Sequence, residues 1–271
     1  MTYKIVSDSA SNLFSLSGVD YACVPLKINS PEKEYIDTPD LDLDGMIEDL
    51  KHAKGPTRTS CPNVHEWSEA FGNADYAFAV TITSNLSGSC SAAMQAASDR
   101  EHVHVVDTLS AGPEIQLIIE KLRDLIVDEQ DFETIKQQIS EYMSHTHLLF
   151  SLESLNNLAR NGRVSPAVAK IAGVLGLRLV GKASDVGTLE PLHKVRGEKK
   201  AISTIYEEMR GVGYQGGKVC ISHCQNLKAA QALEELIRKD FPAANINIVP
   251  CTALCSFYAE SGGLLVGYED F

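Results

Sequence analysis

Residues 83–89, Thr-Ser-Asn-Leu-Ser-Gly-Ser, place five hydroxyl or amide side chains within seven positions. None of them is charged, and the run lacks the Gly-x-Ser-x-Gly elbow that exposes a hydrolase nucleophile. What such a set can do is donate hydrogen bonds. The residues before it, 76–83, read as a buried strand, and those after it, 91–99, as an Ala-rich helix. A helix start offers unpaired N–H groups and the positive end of a dipole, which suit a carboxylate or phosphate. Gly88 lets a ligand approach the backbone closely. Capping of the helix by Ser84 or Ser87 is the competing, purely structural role.

A second cluster, Thr57, Thr59 and Ser60, falls in a stretch read as a short loop before the helix that follows Pro62. Residues 7–12, Ser-Asp-Ser-Ala-Ser-Asn, form a third loop of the same kind after the first strand. In parallel α/β sheets ligands sit beyond the carboxyl ends of strands, so such loops can converge on one anion. With a net charge of −12, the chain as a whole does not attract an anion. Any anion site is therefore local, built from amides, hydroxyls and single Arg residues. The acidic balance also argues against a nucleic-acid binder.

The elements that would position these loops follow from periodicity. In the first half, strands at 3–8, 21–28, 76–83 and 103–108 alternate with helices at 42–53, 64–72, 91–99 and 112–129, which indicates a parallel sheet covered on both faces. The second half has strands at 147–152 and 218–223, two strands around Ser184–Gly187, and helices at 198–211 and 226–241. Residues 244–250 and 263–269 complete a mixed sheet. A further helix is expected at 165–176, with Ser165 as its N-cap and Pro166 at its first position. The fold class is thus α/β in two domains, 1–147 with a parallel sheet and 148–271 with a mixed sheet, and a ligand cleft between them.

Other chemistries find little support. Cys220/Cys224 and Cys251/Cys255 lack the tight knuckle spacing of zinc sites, so reduced, buried thiols are the better reading. His102, His104, His145, His147 and His193 read as strand or surface residues, and neither a Walker nor a Rossmann fingerprint is present. The N-terminal residues show no signal core, and no apolar run approaches the ~20 residues of a membrane span, so a cytoplasmic location is expected.

Taken in order, the segments KIVSDSASNL, VPLKI, TRTSCP, TITSNLSGSCSAA, VVDTLSAG, LESLNNLARNGRVS and HKVRGEKKA resemble the motifs of the DegV family, bacterial fatty-acid-binding proteins that serve fatty acid kinase. The resemblance covers nearly the whole chain. It implies a carrier with no catalytic residue, metal or cofactor of its own, holding one long-chain fatty acid between two domains for a separate, ATP-using kinase. It places the carboxylate at Thr59, Ser60, Ser84, Ser87 and Gly88, and it implies that Arg196 faces the kinase and the acyl-phosphate. Where the family commonly has a His near the C-terminus, this chain has Glu260; because two carboxylates would repel, it is expected to turn outward, the alternatives being a protonated Glu260 or a position filled by Tyr258 or Ser261. Arg163, after Asn161-Gly162, fits either an ion pair at the sheet edge or the ligand side. The Ala- and Gly-rich segment 167–176 is expected to wall the tail channel. An enzyme acting on a small anionic metabolite at the same cleft is the alternative.

Overall fold

The computed structural model describes residues 2–165, 168 and 176–271. Strands β1 (Tyr3–Asp8), β2 (Asp20–Val24), β6 (Tyr76–Thr81) and β7 (Val103–Asp107) form a parallel sheet ordered β2-β1-β6-β7. Its strands carry apolar side chains on both faces because helices cover both. Trp67 and Phe71 of α2 (Val64–Phe71) and Ala92 and Ala93 of α3 (Ser89–Ala97) pack on one face. Ile115, Ile118, Ile119 and Leu122 of α4 (Pro113–Val127) pack on the other, backed by Ile135 and Ile139 of α5 (Phe132–Met143).

The second sheet has six strands, ordered β10-β9-β8-β13-β11-β12: β8 (Thr146–Leu152), β9 (Leu177–Ala183), β10 (Leu189–Arg196), β11 (Val219–His223), β12 (Ile246–Pro250) and β13 (Leu264–Glu269). It is mixed, with β11 and β12 parallel and the remaining pairs antiparallel. Helices α7 (Glu198–Val212) and α8 (Leu227–Asp240) cover one face, with Ile205, Met209, Leu233 and Ile237 packed on Leu149, Val180, Ile221 and Val266. Helix α4 lies against β13 and β11 as well as β1, so it bridges the two sheets. That double cover explains why residues 113–119 are buried without a break. Glu114 is tolerated there because its carboxylate accepts bonds from Ser110 and Thr146 (2.8 Å for the latter).

Two sequence expectations change. The strand expected at 21–28 is two strands: β2 ends at Val24, and β3 (Lys27–Asn29) joins a separate three-stranded sheet. Pro25 has no N–H to continue the ladder, which separates the two. The loop expected around Thr59 is itself strand β5 (Arg58–Ser60), paired antiparallel with β3 so that Thr59 faces Ile28; β4 (Glu34–Ile36) completes that sheet. The remaining helices are α1 (Leu43–His52), α6 (Asn156–Arg160) and α9 (Ala253–Ala259). Ser165 Oγ accepts the Val168 amide at 3.3 Å, as an N-cap does. Positions 166, 167 and 169–175 of the expected 165–176 helix, and with them most of the expected channel wall, lie outside the described residues.

Candidate ligand-binding site

A cavity of about 280 Å³ lies where the three sheets meet. Leu148, Phe150, Leu152 and Leu265 form its floor from the six-stranded sheet, and Ile82, Leu86 and Ala111 come from the parallel-sheet side. Leu254, Cys255, Tyr258 and Ala259 of α9 close another side. Among the described residues the lining is apolar except at one place, where Thr59, Ser60, Ser87, Gly88, Arg163 and Tyr258 come together.

Contacts among these residues show that they are one cluster. Thr59 Oγ1 and Tyr258 Oη are 2.7 Å apart. Cys61, one residue past β5, has its sulfur so near Gly88 that a Cβ there would stand 3.2 Å from it. Arg163 Nε donates to the carbonyl of Leu86 at 3.1 Å, and its Nη1 to that of Asn161. Ser87 Oγ accepts the Ser89 amide at 3.2 Å, closing the first turn of α3. Ser60 and Gly88 are exposed, so the polar end opens to solvent, while Leu148, Phe150 and Leu152 at the apolar end are buried.

This end is built to donate. A hydroxyl pair shares one proton in its mutual bond and keeps the other for a third group, so Thr59 and Tyr258 together retain a donor. Burial pushes the Tyr258 phenol up, against the smaller downward pulls of the Thr59 bond and the Arg163 charge, so it stays neutral at ordinary pH. Two of the five Arg163 N–H groups are used on carbonyls. The geometry suits a carboxylate at the polar end and an aliphatic chain behind it.

The buried Asp8, at the end of β1, fastens the strand-to-helix junction. Its Oδ2 accepts Ser89 Oγ at 2.6 Å and the Ile82 amide at 3.0 Å. Burial raises its carboxyl to about 6, with those two bonds pulling the other way. Sequence reasoning passed over this role; the signal was an acidic residue at the end of an otherwise apolar strand. The other polar groups of residues 7–12 are spent internally. Ser7 bonds Ser11 and Tyr21, Ser9 Oγ accepts the Leu26 amide, and Asn12 links Ser222 to Thr252. That loop is not part of the cavity lining.

Of the carboxylate-binding set expected from sequence, Thr59, Ser60, Ser87 and Gly88 line the cavity, whereas Ser84 does not. Ser84 is exposed, and its amide donates to Asp107 Oδ1 at 3.0 Å, a bond that pins the turn with this residue on its outer side. Arg163 and Tyr258 come in from distant segments instead. Glu260 lies off the lining; its Oε1 accepts the Asn157 amide at 3.1 Å, facing a separate polar recess. Arg196 is exposed at the end of β10. All seven cysteines are free thiols, and among the described residues no group of three or more His, Cys, Asp or Glu side chains could hold a metal. His145 and His147 both bond Asp270, and His193 bonds Glu208.

Fold and site together define a two-domain α/β protein with a buried apolar cavity and a polar, solvent-facing end. The chain belongs to the DegV family: the model described as "Uncharacterised protein, DegV family" matches residues 2–269. A DegV domain-containing protein of Streptococcus pneumoniae is 41% identical over 279 residues, covering 99% of each chain. Among solved structures, the fatty acid kinase B3 protein of Streptococcus pneumoniae, loaded with linoleic acid, superposes with a TM-score of 0.97 at 41% identity, covering 100% of both chains. A DegV family protein of Eubacterium eligens loaded with heptadecanoic acid does so at 0.96 and 38% identity, again over 100% of both.

Proposed function

We propose that this protein carries a long-chain fatty acid, with the tail in the apolar cavity and the carboxylate at Thr59, Ser60, Ser87, Gly88, Tyr258 and Arg163. The observation that carries the reading is a cavity whose described lining is apolar but for one polar end. Two relatives of similar sequence and near-identical fold, solved with linoleic and heptadecanoic acid, support it. The tail supplies most of the affinity: about 0.8 kcal/mol per buried methylene gives roughly 10 kcal/mol for a sixteen-carbon acid before ordering costs. The hydroxyls and Arg163 orient the head group.

The carrier divides near residue 147 into 1–147, which brings most of the head-group donors, and 148–271, which brings the floor. It works in the cytoplasm with a separate, ATP-using fatty acid kinase. In that step a carboxylate oxygen attacks the γ-phosphorus of ATP, the new O–P bond forms, and ADP leaves. This chain holds the carboxylate at an open mouth while the kinase supplies catalysis, with Arg196 facing it. No helix among the described residues is long and apolar enough to cross a membrane.

Melting the delipidated protein with added ligands tests the reading. A sixteen- or eighteen-carbon acid should raise the Tm strongly, since ligand at a hundred times Kd adds about 2.7 kcal/mol. Its methyl ester should do less, and a short-chain acid nothing. Stabilisation by short polar anions with none by long-chain acids would overturn it.

A further inference from the structure

On the reading that the cavity takes an acyl tail, its floor decides which tails fit. Along β8 the side chains alternate: Leu148, Phe150 and Leu152 face the cavity, while Leu149 packs into the core under α7 and α8. Phe150 sits at the centre of this row, and apart from Tyr258 at the polar end it is the only aromatic ring in the lining among the described residues. Its neighbours fix its height. On β9 it pairs with Gly181, and on β13 with Leu265. A Cβ at Gly181 would stand 2.4 Å from Phe150 Cζ and 2.7 Å from Cε2, so the ring rests where a side chain would otherwise be. On the other side Leu265 is wedged against Gly112, where a Cβ would lie 3.1 Å from its Cδ1.

We infer that Phe150 is the gauge of acyl-chain length in this protein, with Gly181 setting how deep its ring lies. A leucine can change rotamer to admit another methylene. A phenyl ring held between a glycine notch and a wedged leucine presents a flat, fixed surface. A side chain at position 181 would have to displace the ring or the Glu190 carbonyl, 2.5 Å from where its Cβ would stand, and shrinking residue 150 would deepen the tail space.

The test uses delipidated wild type, Phe150→Leu and Phe150→Ala. Each is equilibrated with an equimolar mixture of saturated acids of fourteen to twenty carbons, freed of excess lipid, and extracted for mass spectrometry. Both variants should shift toward longer acids, with each extra methylene accommodated raising the occupancy ratio about fourfold over wild type. If Phe150→Ala does not fold, the smaller shift of Phe150→Leu decides. Folded variants with the wild-type distribution, or a shift to shorter acids, would overturn the gauge while leaving the carrier reading intact. Wild type that retains no acid at all would sink the carrier reading itself.

Discussion

Thr59 and Tyr258 lie 199 positions apart in sequence and 2.7 Å apart in space, and their pairing makes a sharp test of the head-group site. Thr59→Val and Tyr258→Phe each remove one hydroxyl with little change of shape. A hydrogen bond to a charged group contributes about 1.5–3 kcal/mol, so each variant should release labelled fatty acid roughly ten- to a hundredfold faster. Unchanged dissociation in both would place the carboxylate elsewhere. Asp8 gives a second test. Its folded carboxyl titrates near 6, above the usual 3.8, so the folded state holds its proton more tightly than the unfolded one. Its contribution is therefore most favourable below about 4, falls as pH rises toward 6, and then levels off. Asp8→Asn keeps an acceptor for Ser89 and Ile82 without the charge. Relative to wild type it should gain stability across that window, by about 3 kcal/mol at most, as read by denaturant titration at several pH values. A stability difference flat from pH 4 to 7 would contradict it. The hydroxyls were legible in the sequence because their types and clustering are local. The outward turn of Ser84 was not, since a bond from its amide to Asp107, 23 residues away, sets it.

Short elements show the same division between local and distant causes. The start of α2 is readable from Asn63 and Glu66, which form a capping box. Strand β5 is not, because three residues have no periodicity to detect and become a strand only by pairing with β3. Helix α9, which carries Tyr258, depends on a residue far upstream. Asp37, buried at the start of the helix, accepts the amides of Ala253 (2.8 Å) and Leu254 (3.2 Å) and the Thr252 hydroxyl (3.1 Å). Asp37→Ala would leave those donors without an acceptor. It should cost about 2–3 kcal/mol of stability and weaken lipid retention by loosening Tyr258. Equal stability and retention in the variant would show that α9 is held by its apolar contacts alone.

At the scale of the molecule, two sheets bridged by α4 leave a cavity between them that neither encloses alone. The two α/β halves, one with a parallel sheet and one with a mixed sheet, were legible from the change of rhythm along the chain. The polar mouth was only partly so: Arg163 and Tyr258 stood among the sequence alternatives, but only tertiary packing brings them to the mouth. If Arg196, exposed at the end of β10, faces the kinase, Arg196→Ala should leave fatty-acid binding unchanged. Acyl-phosphate formation with a cognate kinase should slow. Loss of lipid binding itself would make it a ligand-side or structural residue. The carrier claim is tested most directly by mass spectrometry of an organic extract of the protein as purified from its host. Long-chain fatty acid approaching one equivalent per chain is the predicted result. An extract free of acyl chains, from folded protein whose cavity holds a small polar anion, would contradict it.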